Sequence, residues 1–104
     1  MVTIDDARMY LGIDVTDDAI VNANVQRALD TARATVLGAV GDDIETYLPG
    51  DKRFDQLVLE YTDDIYNNRG TTSAKASNAR HAWIFAMEEQ LRLALRIAKR
   101  EAAE

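Results

Sequence analysis

The chain has 104 residues, 18 acids against 12 bases, and no cysteine. That length allows one domain around one modest core, and the lack of cysteine excludes disulfides and thiolate metal sites. No apolar run approaches the ~20 residues of a membrane span, and the opening MVTIDDARMY lacks the basic start and apolar stretch of a signal peptide, so a soluble protein made in a cytosol is expected.

The net charge of −6 disfavours a free-standing nucleic-acid binder, because such proteins gain affinity by setting Lys and Arg against phosphates. The charge is uneven. Residues 1–50 hold nine acids and three bases, whereas LRLALRIAKR (91–100) holds four bases and no acid. An acidic front and a basic tail point to partner recognition more than to catalysis.

Thr3 followed by Asp6 has the form of a capping box with Asp in place of Glu. Ile4, Ala7 and Leu11 keep helical spacing and Gly12 supplies a stop, which predicts a first helix over 4–11. Thr16 or Asp17 is the expected cap of a second helix over 17–38, and Asp17 and Asp18 complement its positive end. Val21, Val25, Ala28, Ala32 and Val36 form one stripe with Leu29 at its margin, and the helix is expected to stop at Gly38 or Gly41. GDDIETYLPG (41–50) carries the single proline and reads as a loop, pinned to the core by Ile44, Tyr47 and Leu48.

A third helix is expected over 51–68. Phe54, Leu57, Val58, Tyr61 and Ile65 share one side of it, while Leu59, Thr62 and Tyr66 make a second stripe beyond what one core contact needs. GTTSAKASN (70–78) is small and polar and reads as a mobile loop. Ser77 or Asn78 is the expected cap of a fourth helix over 79–102. There Ile84, Met87, Leu91, Leu95 and Ala98 face a core, and Ala86, Leu93 and Ile97 lie almost opposite. Glu88, Glu89, Arg92, Arg96, Lys99 and Arg100 share the remaining arc. A surface helix needs an apolar stripe of only ~100°, so the excess points to burial on two sides, one of them another chain. The expected fold class is all-α: a small bundle of about four helices, one short N-terminal helix and two or three longer ones.

Catalytic motifs are sparse. His81 stands alone, which excludes paired-histidine metal motifs, and no nucleophile elbow accompanies it; it reads as a polar residue in the first turn of the last helix. Four Asp-Asp pairs (5–6, 17–18, 42–43, 63–64) lack the EF-hand spacing. Two of them fall at helix starts, where the macrodipole accounts for them. A competing reading takes IDDARMYLGIDVTDD (4–18) as the start of a helix-turn-helix whose second helix, 17–37, enters a DNA groove. That helix would open on aspartates and carry only Arg27 and Arg33, so a small acidic DNA-binding or DNA-mimicking regulator is the alternative function, and a plain helical dimer a third. Trp83, Phe85 and Tyr66 read as core aromatics or as anchors of a subunit interface.

TIDDARMYLGID with the acids at 17–18, the VQRALDTARATV helix, and LVLEYTDDIYNNRG with its tyrosine-x-x-arginine ending at Tyr66, Asn67, Asn68 and Arg69 resemble the small head–tail connector proteins of tailed double-stranded DNA phages, also called head-completion or adaptor proteins. The resemblance covers about residues 3–70. The C-terminal helix matches only in general character: relatives often have a shorter, more polar segment after the arginine, where this chain has a long, two-sided, Trp-bearing helix. The resemblance implies a virion protein of the phage neck, assembled in the bacterial host cytoplasm without membrane contact. It implies a ring of about a dozen copies docked on the portal protein, offering a landing surface to the tail or a further neck adaptor. Genomic DNA would pass through without sequence-specific binding, eased by acidic repulsion. Catalytic residues, metals and cofactors are not expected. Leu59, Tyr66, Arg69, Leu93 and Ile97 are the expected subunit contacts, and Arg92, Arg96, Lys99 and Arg100 the expected contacts to the portal or another acidic partner.

Overall fold

The computed structural model describes residues 1–13, 18–67 and 74–104, with side chains described outside 74–81. Helices α1 (Ile4–Leu11), α2 (Ala19–Val40), α3 (Ile44–Tyr47), α4 (Lys52–Asn67) and α5 (Ala74–Ala103) follow in order, with no strand among the described residues. The fold is all-α, a small bundle, as expected. No described helix is long and apolar enough to cross a membrane.

Local chemistry fixes the helix ends. The Thr3 hydroxyl accepts from the Asp6 N–H at 3.2 Å, and the Asp6 carboxylate accepts from the Thr3 N–H at 2.9 Å. This closed capping box satisfies two otherwise orphaned donors. The Thr3 backbone N–H, then its hydroxyl, holds the Asp6 carboxyl below its usual range. At the other end Gly12 takes the left-handed conformation, φ +74°, and the Ile13 N–H reaches back to the Arg8 carbonyl at 2.9 Å, which is the Schellman closure.

The cap of α2 is Asp18, whose carboxylate accepts from the N–H groups of Ile20 and Val21; Thr16 and Asp17, expected there, lie outside the described residues. The helix runs through Gly38 to Val40 and is closed at Gly41, the second of the two expected stops. Val40 is buried, and that burial outweighs the ~1 kcal/mol cost of an interior glycine.

The expected loop 41–50 contains the one-turn α3. Ile44 is fully buried and Leu48 half-buried, so these two do pin the segment. Tyr47 does not; it is exposed, with the Lys99 ammonium 5.8 Å from its ring centroid. Asp51 then starts α4 by accepting from the N–H groups of Arg53 and Phe54, while the Arg53 guanidinium beside it lowers its pKa.

The last helix begins at Ala74, not 79. Residues 74–78 of the expected loop are therefore helical, and Ser77 and Asn78 lie inside the helix as neither one's cap. Ala74, Lys75 and Ala76 are good helix formers. At 30 residues α5 is ~45 Å long at 1.5 Å per residue, and the molecule measures 50 × 34 × 17 Å. Its radius of gyration of 15.0 Å exceeds the ~13 Å of a compact chain this size, because α5 is longer than the core it lies on.

The core is an α2–α4 pair. Val25, Ala28, Leu29, Ala32, Val36 and Val40 of α2 meet Phe54, Leu57, Val58 and Thr62 of α4, with α1 adding Ala7 and α5 adding Ile84, Leu91 and Leu95. Two expectations for α4 are corrected. Thr62, placed on a second stripe, is fully buried, its hydroxyl donating to the Val58 carbonyl at 2.7 Å. Ile65, placed in the core, is 39% exposed. Thr62 lies beside Val58 where α2 covers α4, whereas Ile65, on much the same side, stands nearer the end of α4, beside Asn24, Arg27 and Thr31 of α2.

Candidate functional site

Two exposed apolar surfaces stand out, on opposite flanks of the α2–α4 pair. The first is the outer face of α5. Leu93 and Ile97 are one turn apart, 53% and 44% exposed, and Phe85 is 63% exposed on the same half of the helix, with Trp83 at its edge. Polar side chains would be expected on such a face.

The rotation of α5 is set by its inner side. Ile84, Leu91 and Leu95 are buried. The Tyr61 hydroxyl donates to Glu88 at 2.7 Å, so Glu88, expected on the polar arc, is buried instead. Burial, then the Glu88 hydrogen bond and charge, pushes the Tyr61 phenol up to about 12. The Arg92 guanidinium donates to the Ala39 carbonyl at 2.8 Å, to a carboxyl-terminal acceptor left over by α2, and also pairs with Glu89. Lys99 pairs with Asp43 at 2.5 Å; this bond lowers the Asp43 pKa and raises that of Lys99. At Gly41, φ +136°, a Cβ would stand 2.6 Å from the Leu95 side chain, so α5 crosses the end of α2 where only glycine fits.

The predicted basic cluster is thereby divided. Arg92 and Lys99 are engaged within the chain, to Ala39, Glu89 and Asp43. Arg96 and Arg100 are exposed and make no ion pair among the described residues; they flank Leu93 on the outer face.

The second surface is a groove of about 330 Å³ between α1 and α4, lined by Val2, Asp6, Met9, Tyr10, Asp55 and Leu59. The N-terminus is tied beside it. The Arg33 guanidinium donates to the Val2 carbonyl at 2.9 Å, Arg8 to Asn22 at 2.7 Å, and the Met1 amine lies 3.9 Å from Asp55. The Tyr10 hydroxyl donates to Glu60. Met9 is 82% exposed. Sequence reasoning missed this groove, although a signal was present: Met9 and Tyr10 sit off the Ile4–Ala7–Leu11 stripe, on the side of α1 that carries Asp5 and Asp6.

The other expected subunit contacts are scattered. Leu59 is half-buried at the groove floor. Tyr66 is half-buried beside Ile65 and the α2 residues Asn24, Arg27, Ala28 and Thr31. Arg69 lies outside the described residues, and so does the side chain of His81. The structure thus brings Leu93 and Ile97 together with Arg96 and Arg100, puts Leu59 on the opposite flank, and leaves Tyr66 against α2.

Several acids of these pairs have local roles. Asp6 and Asp18 cap helices, Asp5 pairs with Arg8, and Asp43 pairs with Lys99. Among the described residues no three His, Cys, Asp or Glu side chains gather as metal ligands would. No protein-family model, curated protein or solved structure matches the chain.

Proposed function

We propose that this chain is a structural assembly protein: a ring-forming component of the phage neck that docks on the portal and joins the DNA-filled head to the tail. It acts without catalysis, metal or cofactor, within the virion, after assembly in the bacterial host cytoplasm. The observation that carries the reading is the outer face of α5, where Phe85, Leu93 and Ile97 are exposed on a helix already anchored on its other side. A helix with a satisfied core side and a second apolar side is an interface helix. The resemblance of residues 3–70 to head–tail connectors supplies the kind of assembly.

Arg96 and Arg100 are the basic residues open to an acidic surface of the assembly, whether portal or neighbouring subunit, and Arg92 and Lys99 serve the fold. The DNA-reading alternative draws no support from α2, whose Arg33 holds the Val2 carbonyl and whose start is capped by an exposed aspartate. The test is head–tail joining with the double substitution Leu93→Asp with Ile97→Asp. Both positions are exposed, so the variant is expected to keep its helical circular dichroism and to lose attachment to purified portals. Normal attachment by the folded variant refutes the reading. Retardation of DNA at low salt, where phosphate-driven binding is strongest, would replace it with the regulator.

A further inference from the structure

The α5 ridge and the α1–α4 groove are complementary to each other. The ridge presents Leu93 and Ile97 flanked by Arg96 and Arg100. The groove presents Val2, Met9 and Leu59 between Asp6 and Asp55. Beside Leu93 the acid Glu89 is paired with Arg92, which leaves Arg96 and Arg100 as the open cations of that face; the groove carries two carboxylates, Asp55 lying 3.9 Å from the Met1 amine. The groove's volume is about 330 Å³, room for apolar side chains to enter.

They cannot meet within one chain. Around α4, Leu59 faces the α1 flank and Tyr61 faces α5, and two residues along a helix turn the side chain by ~200°. The Met1–Asp55 and Tyr10–Glu60 contacts hold α1 to the first flank, and the Tyr61–Glu88 hydrogen bond holds α5 to the second. Ridge and groove therefore look in roughly opposite directions from the α2–α4 pair.

We propose that the groove's occupant is the α5 ridge of a second copy, a head-to-tail contact in which Leu93 and Ile97 of one chain enter the Val2–Met9–Leu59 groove of the next, with Arg96 and Arg100 over Asp6 and Asp55. Two different complementary faces on one subunit generate a heterologous contact, which closes into a ring or runs on as a filament; a two-fold dimer would need one self-complementary face. The contact deepens the neck-ring reading and rests on it for its biological setting, while its geometry is tested separately.

The chain has no cysteine, so single cysteines report the contact cleanly. Met9→Cys and Leu93→Cys chains are mixed at high concentration and oxidised, with Thr35→Cys on the exposed side of α2 as the off-site control. The expected result is a mixed Met9→Cys–Leu93→Cys cross-link well above any product with the control, and a ladder of oligomers from the double variant. Adding Arg96→Glu and Arg100→Glu to the Leu93→Cys chain lowers the mixed product roughly fivefold, the combined effect of two exposed ion pairs. Self-linking of Leu93→Cys at comparable yield overturns the proposal in favour of a two-fold α5 pair, and a mixed yield no higher than the control overturns it outright. Portal binding by the unmodified chain is scored in parallel. Binding without the mixed cross-link removes this contact and leaves the neck reading standing; the cross-link without binding keeps the contact and removes the neck.

Discussion

The α2–α4 pair and α5 solve the same problem differently. The pair is packed: Val25, Ala32, Val36, Leu57, Val58 and Thr62 are wholly shielded, and helix caps at Asp18 and Asp51 close the starts. α5 is pinned. Of its described side chains only Ile84, Glu88, Leu91 and Leu95 are buried, and it is held further by side chains that reach across to α2, α3 and α4. Packed apolar area carries stability, whereas a few directional contacts carry orientation. The difference teaches that the first pair makes the domain and the last helix displays a surface.

The largest effect that separates the two regions comes from truncation. Leu57→Ala should cost about 2–5 kcal/mol, as for other wholly buried leucines, while Leu93→Ala should stay within about 0.5 kcal/mol. Urea unfolding of both variants measures this, and equal losses would erase the distinction. Next comes the crossing of α2 and α5. Gly41→Ala forces a left-handed φ on a residue with a Cβ and pushes on buried Leu95. A cost of about 1–3 kcal/mol is expected, together with a chemical-shift response concentrated along α5 near Leu95. A wild-type midpoint would mean that α5 does not approach Gly41 so closely.

The smallest effect sharpens the account of the pins. In the fold Tyr61 ionises only at about 12, whereas an unfolded tyrosine ionises near ~10. The native state thus favours the protonated phenol. The stability tied to this group is complete below pH ~10 and is lost as pH rises toward about 12. Tyr61→Phe should cost about 1 kcal/mol at neutral pH, since it leaves the buried Glu88 oxygen without this donor, and should flatten the alkaline loss. Unfolding midpoints measured from pH 7 to 12 check both; an unchanged alkaline slope in the variant would move the titration to another group.

Much of the fold was legible because it is written locally. The Thr3–Asp6 box, Gly12 and Gly41 bound their helices by rules that need only a few neighbouring residues, and α1 runs from Ile4 to Leu11 as its spacing predicts. Long-range facts were not legible. A helical wheel gives the angle between Thr62 and Ile65 but not which angle another helix covers. For the same reason it could not tell Arg92 and Lys99, which find Ala39 and Asp43 more than 50 positions away in sequence, from Arg96 and Arg100, which stay open. The Leu93–Ile97 face was readable as the surplus of apolar residues on one helix. The groove that includes Met9 was not, because its other wall is α4.

The pins on α5 have a consequence for conformational freedom. Arg92, Leu95 and Lys99 recur every three or four residues, along the strip of helix facing the α2–α3 corner. A quarter-turn roll about the helix axis would turn Leu93 toward shelter, and it would also part Arg92 from Ala39, Lys99 from Asp43 and Tyr61 from Glu88. The helix is thus locked like a key cut on one edge and held at the other. An isolated copy has no inexpensive way to hide its apolar edge, so the exposed residues stay oriented for a partner before that partner arrives.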